Sequence, residues 1–197
     1  AAGQPLGALH GAPVGIKDGK VQQFFRDAFA VYRGTLPHSY QTLLDRYELR
    51  DAAVKVVGVG SVGTLCMVLL LTAGDGDPLF LQIKEARPSV LEPYAGKSEF
   101  GNHGQRVVNG YRLMQPASDM FLGWSRGRTR DFFIRQLRDM KVSPLVETFG
   151  RTEMLIFAGW CGRALALAHA RSGGPVVLSG YMEKSDAFDK AIEAFSF

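Results

Sequence analysis

The sequence predicts an α+β chain: a small antiparallel sheet with a glycine-rich hairpin, and packed helices before and after it. Three observations carry that prediction. Residues 21–32 and 155–168 place apolar side chains at helical spacing. Residues 53–83 instead carry short apolar runs, broken by a glycine cluster at 58–63 and the turn Gly74-Asp-Gly-Asp-Pro78. The length, 197 residues, suits about one domain with a sizeable core.

Composition excludes several classes. Hydrophobic residues make up 46% and charged residues 21%, ordinary for a soluble globular chain. The 23 glycines have no period, so a collagen-like chain is excluded. A net charge of +4 favours anionic partners such as phosphates, but is too small to argue for DNA binding. Cys66 and Cys161 sit in apolar surroundings with no Cys-x-x-Cys, which predicts two buried thiols in a reducing cytoplasm. The longest apolar run, Leu65–Leu71, is short of the ~20 residues of a membrane span. No signal-peptide pattern is visible, and no membrane partner is expected. The chain opens at Ala1 without methionine and stops at Phe197, as expected of a fragment of a longer protein. Apolar surface buried in such a parent would favour self-association once exposed.

Residues 1–20, rich in Gly, Ala and Pro, read as a loose N-terminal arm. Residues 21–197 read as a single partial domain, with a sheet region at about 53–141 and a helical region at about 145–197. Phe24, Phe25, Ala28, Phe29 and Tyr32 make one helical stripe, which Gly34 ends. A second helix fits Ser39–Leu49, with Leu43, Leu44 and Tyr47 inward. Strands follow around Val54, over Thr64–Thr72 and over Leu79–Ile83. Pro88 and Pro93 bracket a loop, and a helix fits Asn102–Gln115, with Val107, Val108, Tyr111 and Met114 on one face. Met120–Trp124 and Asp131–Leu137 read as a hairpin whose tip carries Arg126, Arg128 and Arg130. Leu155, Ile156, Trp160, Ala164, Leu167 and Ala168 stripe a long helix, which Gly173-Gly174-Pro175 breaks. A last helix runs from Ser185 to about Phe195.

The chemistry centres on Gly58, Gly60, Ser61 and Gly63. Glycines in such a loop let backbone N–H groups approach a phosphate with no Cβ in the way. Two arrangements use the pattern. A dinucleotide fold follows it with a helix and places an acid about 20 residues on, where Asp75 and Asp77 lie. A kinase-like fold follows it with a strand and sets a lysine on the next strand. Residues 65–71 show no polar position, which suits a central strand better than a surface helix. Lys84 then ends the strand Leu81-Gln-Ile-Lys84, where it would reach phosphates. A glycine-rich hairpin with an exposed lysine is the plain alternative.

Other constellations are weaker. The tip arginines with Arg135, Arg138 and Lys141 make a basic stretch, but no aromatic residue interleaves the tip, so nucleic acid is not the expected partner. His10, His38, His103 and His169 show no metal-ligand spacing, and His169 reads as a helix-end residue. No Gly-x-Ser-x-Gly elbow anchors a hydrolase triad.

Several strings together resemble one bacterial family, the domain-of-unknown-function family numbered 2252. They are Lys55-Val-Val-Gly-Val-Gly-Ser-Val-Gly-Thr64, Leu81-Gln-Ile-Lys-Glu-Ala86, Ser89-Val-Leu-Glu-Pro-Tyr94, Gln105-Arg-Val-Val108, Arg112-Leu-Met-Gln115, Phe121-Leu-Gly-Trp124, Arg135-Gln-Leu-Arg-Asp-Met-Lys141 and Ala168-His-Ala-Arg-Ser-Gly173. The resemblance covers most of the chain from about residue 38. It implies a grouping with protein-kinase-like and aminoglycoside-phosphotransferase-like folds, with this chain as a permuted small lobe and adjoining helices. It implies ATP with magnesium under the glycine loop, Lys84 at the α/β-phosphates, residues 136–140 beside the base, and transfer to a small-molecule or protein acceptor. It also implies acidic motifs of the forms Gly-Asp-x-His-x-x-Asn and Asn-Asp-Phe-Asp upstream of the loop. Neither occurs here, so no catalytic residue and no metal ligand is expected in this chain. The helix at 102–115 holds no acid to pair with Lys84, which leaves Glu92, or Glu99, as the expected substitute. A non-catalytic kinase-like binding module and an NAD-dependent oxidoreductase are the competing readings.

Overall fold

The computed structural model describes residues 19–55, 63–74, 76–137, 143–183 and 185–196. They form α1 (Gly19–Gly34), α2 (His38–Leu44), β1 (Tyr47–Val54), β2 (Cys66–Ala73), β3 (Asp77–Ala86), α3 (Glu92–Ala95), α4 (His103–Met114), β4 (Gly123–Arg126), β5 (Asp131–Gln136), α5 (Arg151–Ser172), α6 (Pro175–Met182) and α7 (Ala187–Phe195). The α+β prediction holds, with one five-stranded antiparallel sheet of order β1-β2-β3-β5-β4. Two compact units divide the chain: Ala1–Gly110 with Ser118–Lys141, and Tyr111–Ala117 with Val142–Phe197.

The sheet unit is built on strand alternation. Successive side chains leave opposite faces of a strand. On one face, Met67, Leu69 and Leu71 of β2 stand opposite Ile83, Leu81 and Leu79 of β3. Ile134 of β5 continues that row beside Ile83. This face packs with Phe25, Phe29 and Tyr32 of α1 and Leu44 of α2 into the main core. Burying Leu- and Phe-sized side chains stabilises by about 1.5–3 kcal/mol each. The Tyr32 hydroxyl donates to the Phe121 carbonyl at 2.7 Å, so the buried phenol is not left unpaired. Burial, with the nearby Asp119 charge, raises its pKa well above the ordinary tyrosine value.

Helix α4 meets the sheet through its first turn. Asn102 Oδ1 accepts the Gln105 N–H at 2.9 Å, an N-cap bond. Asp131, at the start of β5, accepts the His103 N–H at 2.9 Å and the Asn102 side-chain amide at 2.9 Å. Arg126 of β4 closes the group onto Asp131 at 3.1 Å.

Several boundaries differ from expectation. Residues 47–49 belong to β1 instead of a continued α2. Tyr47 continues the helical spacing of Leu43 and Leu44, but in the strand a register shift between Leu49 and Asp51 lets Tyr47, Leu49, Ala52 and Val54 all reach the core. Strand β4 starts at Gly123, and Met120–Leu122 form the turn before it. Helices α3 and α6 were not expected, and α6 has Pro175 at its first position, where a missing N–H costs nothing. Cys66 is buried as expected, whereas Cys161 is exposed because it faces outward on α5. The apolar stripe of α5 is not a core face either: Leu155, Ile156, Trp160 and Leu167 are exposed, and Ala168 is buried. The arm at 1–18 lies outside the described residues; residues 19–20 are helical.

Candidate functional site

Register gathers the second face of the sheet around one row. Cys66 of β2 stands opposite Lys84 of β3, and Lys84 stands opposite Phe133 of β5. One step along, Gln82 stands opposite both Val68 and Arg135. Lys55, just past β1, donates its N–H to the Cys66 carbonyl at 2.8 Å and so extends the row. Gln82 is only 3% exposed, but both ends of its amide are used. Its oxygen accepts from Arg135 at 3.2 and 3.1 Å, and its nitrogen donates to Cys66 Sγ at 3.6 Å. Burial pushes the Cys66 thiol up, opposed by the charges of Lys84, Lys55 and Arg135 and by the Gln82 hydrogen bond. The three cations thus converge on one thiol. Among the described residues none of the three is in an ion pair with a carboxylate. The apolar run of β3 places Lys84 on this strand from sequence alone; Lys55, Gln82 and Arg135 join it only through the strand register.

Of the loop itself, Gly58, Gly60 and Ser61 lie outside the described residues. Gly63, at its C-terminal end, has φ +75°, a left-handed conformation that suits glycine. Two residues on, Leu65 is tied to the strand that carries the lysine. Its N–H donates to Glu85 Oε2 at 2.9 Å, and its carbonyl accepts the Glu85 N–H at 2.8 Å. Arg87 donates from Nε to Glu85 Oε1 at 2.8 Å, and from Nη2 to the Gly63 carbonyl. Arg130, from the hairpin tip, donates to Glu85 Oε2 at 2.9 Å. Burial would raise the Glu85 carboxyl; the bonds from Arg87 and Leu65 and the charges of Arg130 and Arg87 outweigh it and hold the pKa below the ordinary value.

Glu92 opens α3, half-buried, and the structure does not bring it to Lys84 in an ion pair. Two of the tip arginines serve the fold: Arg126 bonds Asp131 and the Gly101 carbonyl, and Arg130 bonds Glu85. At the other end of β5, the Gln136 N–H donates to Asp119 at 2.5 Å and the Leu137 N–H donates to the Phe80 carbonyl at 2.8 Å. Residues 138–142 lie outside the described residues. Segment 66–73, after the loop, is a strand and not the helix that the dinucleotide arrangement asks for. Among the described residues no three of His, Cys, Asp or Glu come together to hold a metal. The described residues of the site offer three cations, Lys84, Lys55 and Arg135, around Cys66.

The chain is a mixed α+β protein with one five-stranded antiparallel sheet, one face of which sets Lys84, Lys55 and Arg135 around Cys66. It belongs to the family described as "Uncharacterized protein conserved in bacteria (DUF2252)", which it matches over residues 10–197. No curated protein and no solved structure matches it. No helix among the described residues is long and apolar enough to cross a membrane.

Proposed function

We propose that the chain binds ATP, or a similar nucleotide, under the loop Gly58–Gly63 as the nucleotide-cradling part of a kinase-like phosphotransferase. The observation that carries the reading is the place of Lys84. It stands on the third strand after a strand–loop–strand hairpin, beside Lys55 and Arg135 and with no described carboxylate partner. A kinase-like site needs its lysine on that strand, with a helix following it; here the short α3 and then α4 follow. Lys84 serves as a point charge for the α/β-phosphates. Loop amides of Gly58, Gly60, Ser61 and Gly63 take phosphate oxygens. Magnesium would be bound together with the nucleotide, as the family resemblance implies. The acceptor is a small molecule or protein, and the location is cytoplasmic. A kinase-like binding module that holds a nucleotide and transfers no phosphate is the second reading.

The test is thermal unfolding with and without Mg·ATP, for the wild type and Lys84→Met. Ligand at about 100 times its Kd adds about 2.7 kcal/mol. For a chain of this size that raises Tm by roughly 5–11 °C. The shift is expected in the wild type and lost in Lys84→Met. A folded wild type that shows no shift would sink the proposal.

A further inference from the structure

We propose that Glu85, with Arg87 and Arg130, is a clamp that positions the C-terminal stem of the glycine-rich loop relative to Lys84 and thereby sets affinity for the nucleotide's phosphates. This rests on the nucleotide reading above. Glu85 is the neighbour of Lys84 on β3, so alternation sends the two side chains to opposite faces. The lysine goes to the cationic face and the carboxylate goes to the base of the loop.

The Glu85 side chain is 7% exposed. A carboxylate removed so far from water is costly unless it is paired and hydrogen-bonded. Here three donors from three segments meet it: the Leu65 N–H, Arg87 and Arg130. Its own N–H returns a bond to the Leu65 carbonyl. Arg87 spans the junction, holding Glu85 with one nitrogen and the Gly63 carbonyl with another. The Arg87 carbonyl accepts Arg106 of α4 at 2.8 Å, so the helix after β3 is tied to the same point. Both residues at which the chain leaves the loop for β2, Gly63 and Leu65, are therefore bonded to the lysine-bearing strand or the residue just past it. A phosphate-binding loop works through backbone N–H groups held in one geometry. The stem sets where they start.

Charge and position predict opposite signs for one substitution. One carboxylate faces two guanidiniums, so removing its charge raises the positive potential beside the loop. If Glu85 acted through charge alone, Glu85→Gln would tighten ATP binding. As a positioning residue, its loss weakens it. Arg87→Lys is the second variant. Its side chain is half outside, at 53% exposure, and lysine keeps the charge but loses the fork that spans Glu85 and Gly63.

The experiment measures the Kd for Mg·ATP by calorimetry on the full chain, at a temperature where circular dichroism shows every variant folded. Exchange of the Leu65 amide is followed by NMR in the same samples. Losing one or two such hydrogen bonds predicts an ATP Kd raised about three- to tenfold in both variants, with faster Leu65 exchange. Unchanged or tighter ATP binding in both variants, while Lys84→Met abolishes it, overturns the clamp and leaves the nucleotide reading standing. A folded wild type that binds no ATP overturns the nucleotide reading, and the clamp's role falls with it.

Discussion

At residue scale, two glycines of one helix carry opposite predictions. Gly104 lies in the first turn of α4, where the helix backbone rests against β5. A Cβ there would collide with the Phe132 carbonyl, whose carbon would be 2.6 Å away. Backbone on both sides leaves nothing flexible to move, so Gly104→Ala should destabilise by about 1–3 kcal/mol. Gly110, two turns on, has nothing within 4 Å of the same position. There alanine removes the entropic cost of a helical glycine and should stabilise by roughly 0.5–1 kcal/mol. Urea unfolding of the two variants checks both signs, and the same sign for both would refute the close approach. The sequence shows two glycines in a helical pattern and nothing to separate them. Which one meets β5 depends on a strand nearly thirty positions away. The strand position of Lys84 was legible for the contrary reason: it follows from the apolar run of its own strand. Lys55 and Arg135 were not, because only pairing through β2 and β3 sets them beside it.

The elements show where local pattern suffices and where it misleads. β2 was readable because a run with no polar position must be buried on both faces. The start of β1 is hidden in the sequence because Tyr47 continues the helical spacing of Leu43 and Leu44; past Leu49 a bulge breaks the alternation, so that 47, 49, 52 and 54 share one face. The N-terminus of α4 was readable as a boundary, but not as the polar junction it is. Asn102→Ala removes the cap bond to Gln105 and leaves Asp131 without its amide partner. A loss of about 0.5–2 kcal/mol is expected from the cap alone. Denaturant midpoints of this variant and the wild type measure it; equal midpoints would remove the cap from the account. The loop stem adds a pH dependence. The Glu85 carboxyl is held below its ordinary value of 4.5, so its ionised form is favoured by folding. Its contribution is therefore full above the unfolded-state value and is lost as pH falls through the lower folded-state value. The stability gap between wild type and Glu85→Gln should be widest near neutral pH and close in acid below about 4.5. A gap that widens on acidification would contradict the sign.

At the scale of the whole molecule, the two units differ in what they bury. The sheet unit holds a continuous cluster running from Phe25 and Tyr32 through Leu69, Leu71 and Leu81 to Ile134. In the helical unit Val176, Val177, Tyr181, Leu155 and Trp160 are each more than half exposed, and among the described residues of its helices Ala168 is buried. The stripe on α5 was legible as a pattern, but a stripe records only that apolar residues share a side. Whether that side is covered is a property of the surroundings. Local opening energies follow buried apolar contacts, so the units should not share one stability. Amides of β2, β3 and β5 are expected to exchange only through global unfolding. Those of α5, α6 and α7 should exchange through smaller openings, with protection lower by orders of magnitude. Hydrogen exchange read segment by segment on the full chain, with and without Mg·ATP, tests this. Added nucleotide should deepen protection in the sheet unit, which carries the proposed site. Equal protection of α5 and β3 in the free chain would refute the difference in stability, because it would make both units one cooperative body.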